Sequence, residues 1–233
     1  IDTGIAGGQV GNAFRFDKTR ADSLMAPTTY GSGSTDLGTT FTVSAWYNLD
    51  VDANIAGGLV NNGNRYFVWE ATSDHDFSYW LDTDGGGADE SQRALFTETS
   101  GTANVSMVPD TPYDQGTWEH LTQTIVTSGA TTTVTTYING VQRQSFFGTT
   151  SGFGNTGGLE STGINFGQAR DSADTRPFDG LIDEIGIWDR ELSGAEITEV
   201  YNRGAAGLAI VPEPSSMALL GLGGLALILR RRK

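Results

Sequence analysis

The sequence predicts an all-β fold, a sandwich of two antiparallel sheets with one short C-terminal helix. Apolar and polar residues alternate with period two in many short segments between residues 13 and 188, and these segments are rich in β-branched and aromatic residues. Turns rich in Gly, Asp, Asn and Thr separate the segments. Many short strands joined by such turns are typical of a two-sheet sandwich.

The strand pattern is clearest at residues 41–49, where Phe41, Val43, Ala45, Tyr47 and Leu49 are predicted to share one face. A second strong signal is an Asn-Gly dipeptide between two alternating segments, which specifies a tight type I′ hairpin turn. The predicted strands are residues 41–49, 66–71, 77–81, 94–99, 118–127, 133–138, 141–146, 164–168 and 178–188.

One helix is predicted after these strands, with Ser193 as its N-terminal cap and Gly204 as the residue that stops it. Ser193 and Glu196, three residues later, form the sequence pattern of a capping box. Glycine is the residue that most often follows the end of a helix. We expect the helix to lie on the outside of the sandwich with an apolar face formed by Ile197, Val200 and Tyr201.

Composition excludes several classes of function. The chain has 233 residues and no cysteine, which removes disulfides, thiol catalysis and zinc–thiolate sites. Residues 1–211 carry 10 basic and 27 acidic side chains, a net charge of −17. We expect so acidic a body to repel nucleic acid and anionic membranes, and to suit either solubility outside the cell or the binding of divalent cations.

The C-terminal segment has the pattern of a short membrane anchor. Residues 217–229 form a run of 13 residues without a polar side chain, followed by Arg230, Arg231, Arg232 and Lys233. The run is shorter than the about 20 residues of a spanning helix. A core helix, however, would not be apolar on every side and then end in four cations. By the positive-inside rule, the cations mark the cytoplasmic end of an anchor.

Pro212, Glu213 and Pro214 precede this apolar helix, and the whole segment resembles the PEP-CTERM sorting signal of Gram-negative bacteria. The resemblance implies export, transient anchoring in the membrane, recognition of the Pro-Glu-Pro region by an exosortase, and delivery to the cell surface or the extracellular polymer matrix. A plain C-terminal anchor is the alternative. The predicted organisation is a domain at residues 1–206, a linker at 207–211 and a sorting tail at 212–233.

Five segments of the predicted domain, in order and covering nearly all of it, resemble the laminin-G-like, concanavalin A-like lectin/glucanase jelly roll. They are residues 12–17 (NAFRFD), 41–46 (FTVSAW), 118–121 (WEHL), 137–140 (YING) and 178–192 (FDGLIDEIGIWDREL). The resemblance implies two stacked, curved antiparallel sheets whose concave face and rim loops bind carbohydrate in many relatives. It does not imply a particular ligand.

Asp183 is the most informative acidic residue, because period two places it on one face with Leu181, Ile185 and Ile187. A carboxylate in that register should be buried, and a buried carboxylate needs hydrogen bonds, a cation or a metal ion. In the jelly rolls that the chain resembles, a structural calcium ion often sits where the last strand meets the N-terminal strand, which implies Asp183 and Asp17 as ligands. The alternative is a carboxylate that accepts backbone N–H or arginine hydrogen bonds.

Four aromatic residues, Tyr66, Trp69, Tyr79 and Trp80, lie in two neighbouring predicted strands beside polar loops. Sugar rings stack on Trp and Tyr, so these four are the candidate ligand-binding residues. The alternative is that they fill the core, as most aromatic residues in a sandwich do. Trp46, Trp118 and Trp188 are assigned to packing.

No catalytic motif is recognised. Glycosidases of the laminarinase type share this jelly roll and carry a Glu-x-Asp-x-x-Glu strand, which this sequence lacks. The only histidines are His75 and His120, and we expect His120 to be a hydrogen-bonded structural residue. The sequence therefore predicts an exported, non-catalytic protein that binds glycan or another surface component. The alternatives are a polysaccharide hydrolase or lyase on the same fold, and a purely structural matrix protein.

Overall fold

Two antiparallel β-sheets packed face to face make up the domain. The computed structural model describes residues 2–17, 24–26, 40–50, 64–71, 77–83, 90–97, 103–107, 115–129, 131–149, 164–168 and 177–210. The strands in these ranges are β1 (Asp2–Ala6), β2 (Asn12–Phe16), β3 (Leu24–Ala26), β4 (Thr40–Leu49), β5 (Asn64–Ala71), β6 (Phe77–Thr83), β7 (Glu90–Thr97), β8 (Ala103–Met107), β9 (Glu119–Ser128), β10 (Thr131–Ile138), β11 (Val141–Thr149), β12 (Ile164–Phe166) and β13 (Gly180–Trp188).

The chain crosses repeatedly between the two sheets. One sheet has seven strands in the order β1-β2-β13-β4-β9-β10-β11, and the other has six in the order β3-β12-β5-β6-β7-β8. Every neighbouring pair is antiparallel. This arrangement confirms the predicted two-sheet antiparallel sandwich.

The hydrophobic core lies between the facing surfaces of the two sheets. The predicted alternation of β4 is confirmed, since its five inward residues, Phe41 to Leu49 at every second position, are at most 1% exposed. Burying each large apolar side chain of this kind stabilises the fold by about 1.5–3 kcal/mol. The residues of the six-stranded sheet in the same core include Val68, Trp69, Phe77, Tyr79 and Leu81.

Each predicted strand overlaps an observed one, with ends that differ by several residues in some cases. The short strands β1, β2, β3 and β8 were not among the predicted strands, although residues 12–17 carry part of the family resemblance. β3 has only three residues, too few to show alternation, and β1 contains Gly4 in the left-handed region with φ 71°. The predicted hairpin turn is confirmed, because Asn139 and Gly140 both have positive φ, 52° and 74°, between β10 and β11.

The helix α1 spans Gly194–Ala205 and has the predicted capping box. The Ser193 hydroxyl accepts a hydrogen bond from the Glu196 backbone N–H, and the Glu196 carboxylate accepts one from the backbone N–H of Ser193. The predicted end at Gly204 is wrong, because the helix continues to Ala205 and the glycine with a left-handed φ, 70°, is Gly207. Gly204 lies within the helix, and its missing side chain allows α1 to pack closely against the sheet.

The helix α1 packs on the outer face of the seven-stranded sheet. The ring of Tyr201 stacks on that of Trp46, with centroids 5.6 Å apart, and both contact His120. A Cβ at Gly204 would lie 2.2 Å from Nε1 of Trp46, so only glycine allows this approach. A second apolar cluster completes the docking and consists of Leu192, Ile197, Val200 and Ile210.

The chain after the helix stays packed on the domain as far as the structure describes it. Ile210 donates its backbone N–H to the Glu184 carboxylate at 2.7 Å and joins the apolar cluster under α1. The sorting tail at residues 212–233, with its predicted apolar helix, its Pro-Glu-Pro motif and its terminal cations, lies outside the described residues. Within the described residues, no helix is long and apolar enough to cross a membrane.

Candidate functional site

A row of polar side chains crosses three adjacent strands on the outer face of the six-stranded sheet. Asn165 of β12 is the direct partner of Glu70 in β5, and Glu70 is the direct partner of Ser78 in β6. Directly opposed residues point to the same face of a sheet. The neighbours of these residues in sequence, such as Trp69 and Tyr79, belong to the core, so the row itself points away from the core. We call Asn165, Glu70 and Ser78 the polar row.

Trp80 lies beside the polar row on the same outer face. Along β6, Phe77, Tyr79 and Leu81 belong to the core, so the alternate residues Ser78 and Trp80 point outward. Neither α1 nor any of the described strands packs on this face, since α1 lies on the other sheet. The outer face of the six-stranded sheet therefore combines an indole with three polar side chains.

Two atoms of the polar row lack a hydrogen-bond partner in the described part of the chain. They are Oγ of Ser78 and Oδ1 of Asn165, and their residues are 1% and 6% exposed. Glu70 between them is 0% exposed. A buried polar atom without a partner destabilises a protein by about 1–3 kcal/mol, so such atoms are typical of places where a ligand or an ordered water completes the hydrogen bonding.

The four aromatic residues predicted to bind ligand do not share one surface. Trp69 and Tyr79 are at most 1% exposed in the core between the sheets, the alternative left open by the sequence. Trp69 donates its indole N–H to Oε1 of Gln123 on the facing sheet at 2.8 Å. Trp80 is on the outer face, and the side chain of Tyr66 lies outside the described residues. Trp80 is the aromatic candidate beside the polar row because it points away from the core, although its side chain is buried as well, 3% exposed.

Tyr79 takes part in a buried polar network that the sequence did not suggest. Its ring packs near that of Tyr47, whose hydroxyl donates to Oε2 of Glu119 at 2.6 Å. Burial first, and the neighbouring Tyr79 and Glu119 next, raise the pKa of Tyr47 well above its usual value. The phenol is therefore neutral and acts as a donor that holds the carboxylate within the sandwich.

Asp183 is buried as predicted, 5% exposed, but the predicted face is wrong. The register of β13 against β4 shifts between Asp183 and Gly186, and Glu184 takes a positive φ of 46°. This bulge turns Ile185 and Ile187 toward the inter-sheet core together with Ile182, so they no longer share a face with Asp183. Strict period-two alternation of the sequence does not predict a bulge, because a bulge inserts one extra residue into the strand.

The carboxylate of Asp183 holds the loop between β1 and β2. Its Oδ2 accepts the backbone N–H of Val10 at 2.9 Å, and its Oδ1 accepts the N–H of Glu184 at 2.8 Å. A Cβ at Gly8 would lie 2.8 Å from Oδ2, so glycine is needed for the loop to come this close. This is the hydrogen-bonded alternative that the sequence left open.

The structure does not bring Asp183 and Asp17 together. Phe16 pairs with Gly180 and Phe14 with Ile182, so Asp17 lies four residues along the sheet from Asp183, about 13 Å at the rise of a β-strand. Within the described residues no group of three or more His, Asp or Glu side chains is placed to hold a metal ion. The described residues therefore do not fit a calcium site shared by these two aspartates.

Asp17 belongs to an acidic group around one arginine at the end of β2. Arg15 donates two hydrogen bonds to the carboxylate of Asp50, and its guanidinium lies 3.9 Å from Oδ1 of Asp179. The hydrogen bond to Asp50, with the nearby charges of Asp179 and Asp17, raises the pKa of Arg15. The arrangement ties β2 to the segments that follow β4 and precede β13.

His120 is a buried structural residue, as the sequence predicted. Its Nε2 lies 2.8 Å from Oγ of Ser44, and both residues are 0% exposed. Burial lowers the pKa of His120 to about 3, so the ring is neutral at physiological pH. Within the described residues, Nδ1 has no hydrogen-bond partner, and thus no carboxylate orients the ring as in a serine hydrolase triad.

Sequence reasoning missed the polar row because no local motif marks it. Asn165, Glu70 and Ser78 are separated by up to 95 positions in the chain and meet only through strand register. Each does, however, stand between apolar residues in a strand with apolar residues on its other face. A polar residue at the outward position of three strands that pair is the signal that could have found the row.

Solved structures of the same fold include two sialidases and a carbohydrate-binding module. Trypanosoma rangeli sialidase matches with TM-score 0.57 and 13% identity, over 84% of this chain and 28% of that one. A mutant of the NanB sialidase of Streptococcus pneumoniae matches with TM-score 0.50 and 17% identity, over 85% and 28%. The CBM40 module of the Ruminococcus gnavus IT-sialidase, solved with α2,3-sialyllactose bound, matches with TM-score 0.50 and 11% identity, over 77% and 96%.

These matches show the fold alone, because their sequence identities are low. The chain spans only about a quarter of the length of either sialidase and nearly all of the carbohydrate-binding module. No curated protein matches the sequence significantly.

Two family profiles match different parts of the chain. The profile described as the concanavalin A-like lectin/glucanases superfamily matches residues 26–198, about three quarters of the chain. The PEP-CTERM protein-sorting motif matches residues 211–233. The first match agrees with the two antiparallel sheets, and the second indicates an exported protein that is processed at its C-terminus. The chain belongs to the concanavalin A-like lectin/glucanase superfamily and carries a C-terminal PEP-CTERM sorting signal.

Proposed function

We propose that this protein is an exported, non-catalytic glycan-binding protein whose jelly roll binds polysaccharide on the outer face of its six-stranded sheet. The observation that carries the proposal is the polar row beside Trp80. Two buried polar atoms there lack partners in the described part of the chain, and an indole stands next to them. Glycans offer both hydroxyl groups for hydrogen bonds and apolar C–H faces for an aromatic ring.

The comparisons support a carbohydrate ligand in general terms. The CBM40 module of the same fold, which the chain covers nearly from end to end, was solved with a sialylated sugar bound. The sorting signal supports the location of the ligand, since an exported protein meets glycan at the cell surface or in the extracellular polymer. We infer that the tail anchors the protein transiently in the membrane of a Gram-negative bacterium until an exosortase processes it.

The buried Ser44–His120 pair supports the non-catalytic part of the proposal. A nucleophile and its base must reach the substrate, whereas the rings of Trp46 and of Tyr201 in α1 pack against this histidine. A histidine whose pKa is about 3 is also a weak general base at neutral pH. The sequence further lacks the paired carboxylates of the laminarinase motif.

A glycan array probed with the full chain tests the proposal. The chain is kept soluble in a detergent without a sugar head group, so that the detergent does not compete for the site. We expect saturable binding to at least one class of glycan. An array without any signal at high protein concentration, with and without calcium, would contradict glycan binding and favour a structural matrix protein.

An enzyme on the same fold is the second candidate, because two solved structures similar to the chain are sialidases. The full chain is incubated with each glycan bound on the array, and reducing-sugar release is followed together with the absorbance of unsaturated lyase products. We expect no product above the protein-free control. Product that accumulates in proportion to protein concentration would revive the hydrolase or lyase function.

A further inference from the structure

We propose that residues 207–210, which connect α1 to the sorting signal, restrain the processing of that signal by docking on the domain. The segment must leave the domain before an exosortase binds the Pro-Glu-Pro region in an extended form. We call residues 207–210 the docked linker. The inference rests on the proposed processing by an exosortase, and it adds the step that controls the rate of that processing.

Three hydrogen bonds tie the last three residues of the docked linker to the domain. The carbonyl oxygen of Arg203 accepts the N–H of Leu208 at 2.9 Å, and Nε of Arg203 donates to the carbonyl oxygen of Ala209 at 2.8 Å. The N–H of Ile210 donates to Oε2 of Glu184 in β13 at 2.7 Å. The last two bonds each include a charged group, and such bonds are stronger than those between neutral groups. The backbone that precedes the sorting signal is thus already bonded to the domain.

The side chain of Ile210 fills a space that β13 leaves open. It is 8% exposed and belongs to the apolar cluster under α1. A Cβ at Gly186 would lie 2.8 Å from Cδ1 of Ile210 and 2.3 Å from Cη2 of Trp188, so only glycine leaves this space. Glu184, two residues earlier, has a φ of 46°, in the left-handed region that residues with a Cβ rarely adopt. The bulge of β13 therefore supplies both the space and the acceptor for the docked linker.

The docked linker leaves little free chain before the sorting signal. Val211 alone separates Ile210 from Pro212, and covalent geometry limits the distance between the Cα atoms of Ile210 and Pro212 to about 7 Å. An enzyme that recognises an extended peptide contacts several consecutive residues, and a domain this close obstructs that contact. Release of residues 207–210 frees four more residues and adds about 13 Å of reach. Processing should therefore proceed from the undocked state.

Two variants weaken the docking in different ways. Glu184→Gly removes the acceptor of the Ile210 N–H from outside the linker. It also places glycine at a left-handed position, so we expect the melting temperature to hold. Ile210→Ala removes the buried apolar side chain. Leu208→Ala is the matched control, because Leu208 is an apolar residue of the same linker but is 53% exposed.

Amide hydrogen exchange at residue 210 of the full chain measures docking without an enzyme. We expect slow exchange in the unmodified chain and in Leu208→Ala. Exchange should be at least about fivefold faster in Glu184→Gly and in Ile210→Ala, because each loses a contact that holds the linker. Exchange in the unmodified chain as fast as in an unfolded peptide, or exchange that neither variant accelerates, would overturn the inference.

Processing is measured with the full chain and the three variants in one detergent. Each is incubated with membranes of a Gram-negative bacterium that has an exosortase and with membranes of the same strain without that gene, and shortened chains are quantified by mass spectrometry. When undocking is faster than cleavage, the rate of proteolysis follows the population of the open form. We therefore expect Glu184→Gly and Ile210→Ala to be processed at least about fivefold faster than the unmodified chain, and Leu208→Ala at the same rate.

The outcomes of this experiment separate the two proposals. Equal processing rates for the unmodified chain and for a Glu184→Gly chain with faster exchange at residue 210 would overturn the inference and leave exosortase processing intact. If the membranes with the exosortase shorten none of the four chains more than the membranes without it, exosortase processing itself fails and the inference with it.

Discussion

The hydroxyl of Ser44 lies 2.8 Å from Nε2 of His120, and both residues are wholly buried on the outer face of the seven-stranded sheet. The rings of Trp46 and Tyr201 close over the histidine, with centroids 5.0 Å and 5.9 Å from its own. The pair therefore lies at the interface between the seven-stranded sheet and α1. The stability of the fold should therefore depend on pH, because a buried neutral histidine resists protonation.

The first prediction is an acid-sensitive stability that depends on His120. The pKa of the ring is about 3 in the fold and about 6.5 in the unfolded chain. Between these pH values the unfolded chain binds the proton more readily than the folded chain. The contribution of His120 to the free energy of unfolding is therefore fully present above pH 6.5 and decreases as the pH drops toward 3. Between pH 7.5 and pH 5.5 we expect a loss of about 1.4 kcal/mol from this group.

Urea unfolding of the unmodified chain and of His120→Gln at the two pH values measures this loss. The variant is expected to be less stable at both, but to lose about 1.4 kcal/mol less than the unmodified chain on acidification. His75 is present in both proteins and cancels in the comparison. Equal losses in the two proteins would show that His120 does not resist protonation.

The second prediction concerns the approach of α1 to the sheet at Gly204. A Cβ there would lie 2.2 Å from Nε1 and 2.7 Å from Cε2 of Trp46, so Gly204→Ala must displace a packed indole. We expect a loss of about 1–3 kcal/mol, the range for overpacking a core. Gly194→Ala is the control, because a Cβ at that position meets nothing within 4 Å and favours the helix. A Gly204→Ala protein as stable as Gly194→Ala would contradict the described docking of α1.

The third prediction concerns the hydrogen bonds of Asp183. Asp183→Asn places an amide NH₂ against the backbone N–H of either Val10 or Glu184 and removes the charge from both bonds. We expect a loss of about 1–3 kcal/mol in urea unfolding. Asp189→Asn, at an exposed aspartate in the same segment, should change stability by less than about 0.5 kcal/mol.

Repeating this comparison in calcium and in EDTA tests the calcium ion predicted from the family resemblance. If Asp183 acts only through its hydrogen bonds, the loss caused by Asp183→Asn is the same in both solutions. A loss that is larger in calcium, with an unmodified chain that melts at lower temperature in EDTA, would instead support a structural calcium ion at Asp183. An unchanged melting curve in EDTA would contradict that ion.

Much of the fold could be predicted because its signals are local. Period two in β4, the Asn-Gly turn after β10 and the capping box of α1 each depend on a few consecutive residues, and each is confirmed. Departures from ideal geometry could not be predicted. The bulge after Asp183 reversed the expected faces, and Gly204 proved to be a packing residue because its partner, Trp46, is 158 positions away in the chain.

The candidate site was harder to predict because it depends on register. Choosing candidates by residue type selected Trp69 and Tyr79, which the strand geometry directs into the core, together with Trp80, which it directs outward. The same choice passed over Ser78 and Asn165, which have no distinctive sequence context. Which polar residues stand opposite each other is decided by strand pairing, and that is not readable from one sequence.

The location of the site is tested most directly with a glycan that binds the unmodified chain on the array. Its affinity is measured for Trp80→Ala and for the control variant Trp69→Phe. Trp69→Phe leaves Oε1 of Gln123 without its donor, so we expect a lower melting temperature and an unchanged affinity. Trp80→Ala should weaken binding at least about tenfold, as the loss of an aromatic contact at a binding site does. If a folded Trp80→Ala protein bound the glycan as tightly as the unmodified chain, the outer face of the six-stranded sheet would not be the binding surface.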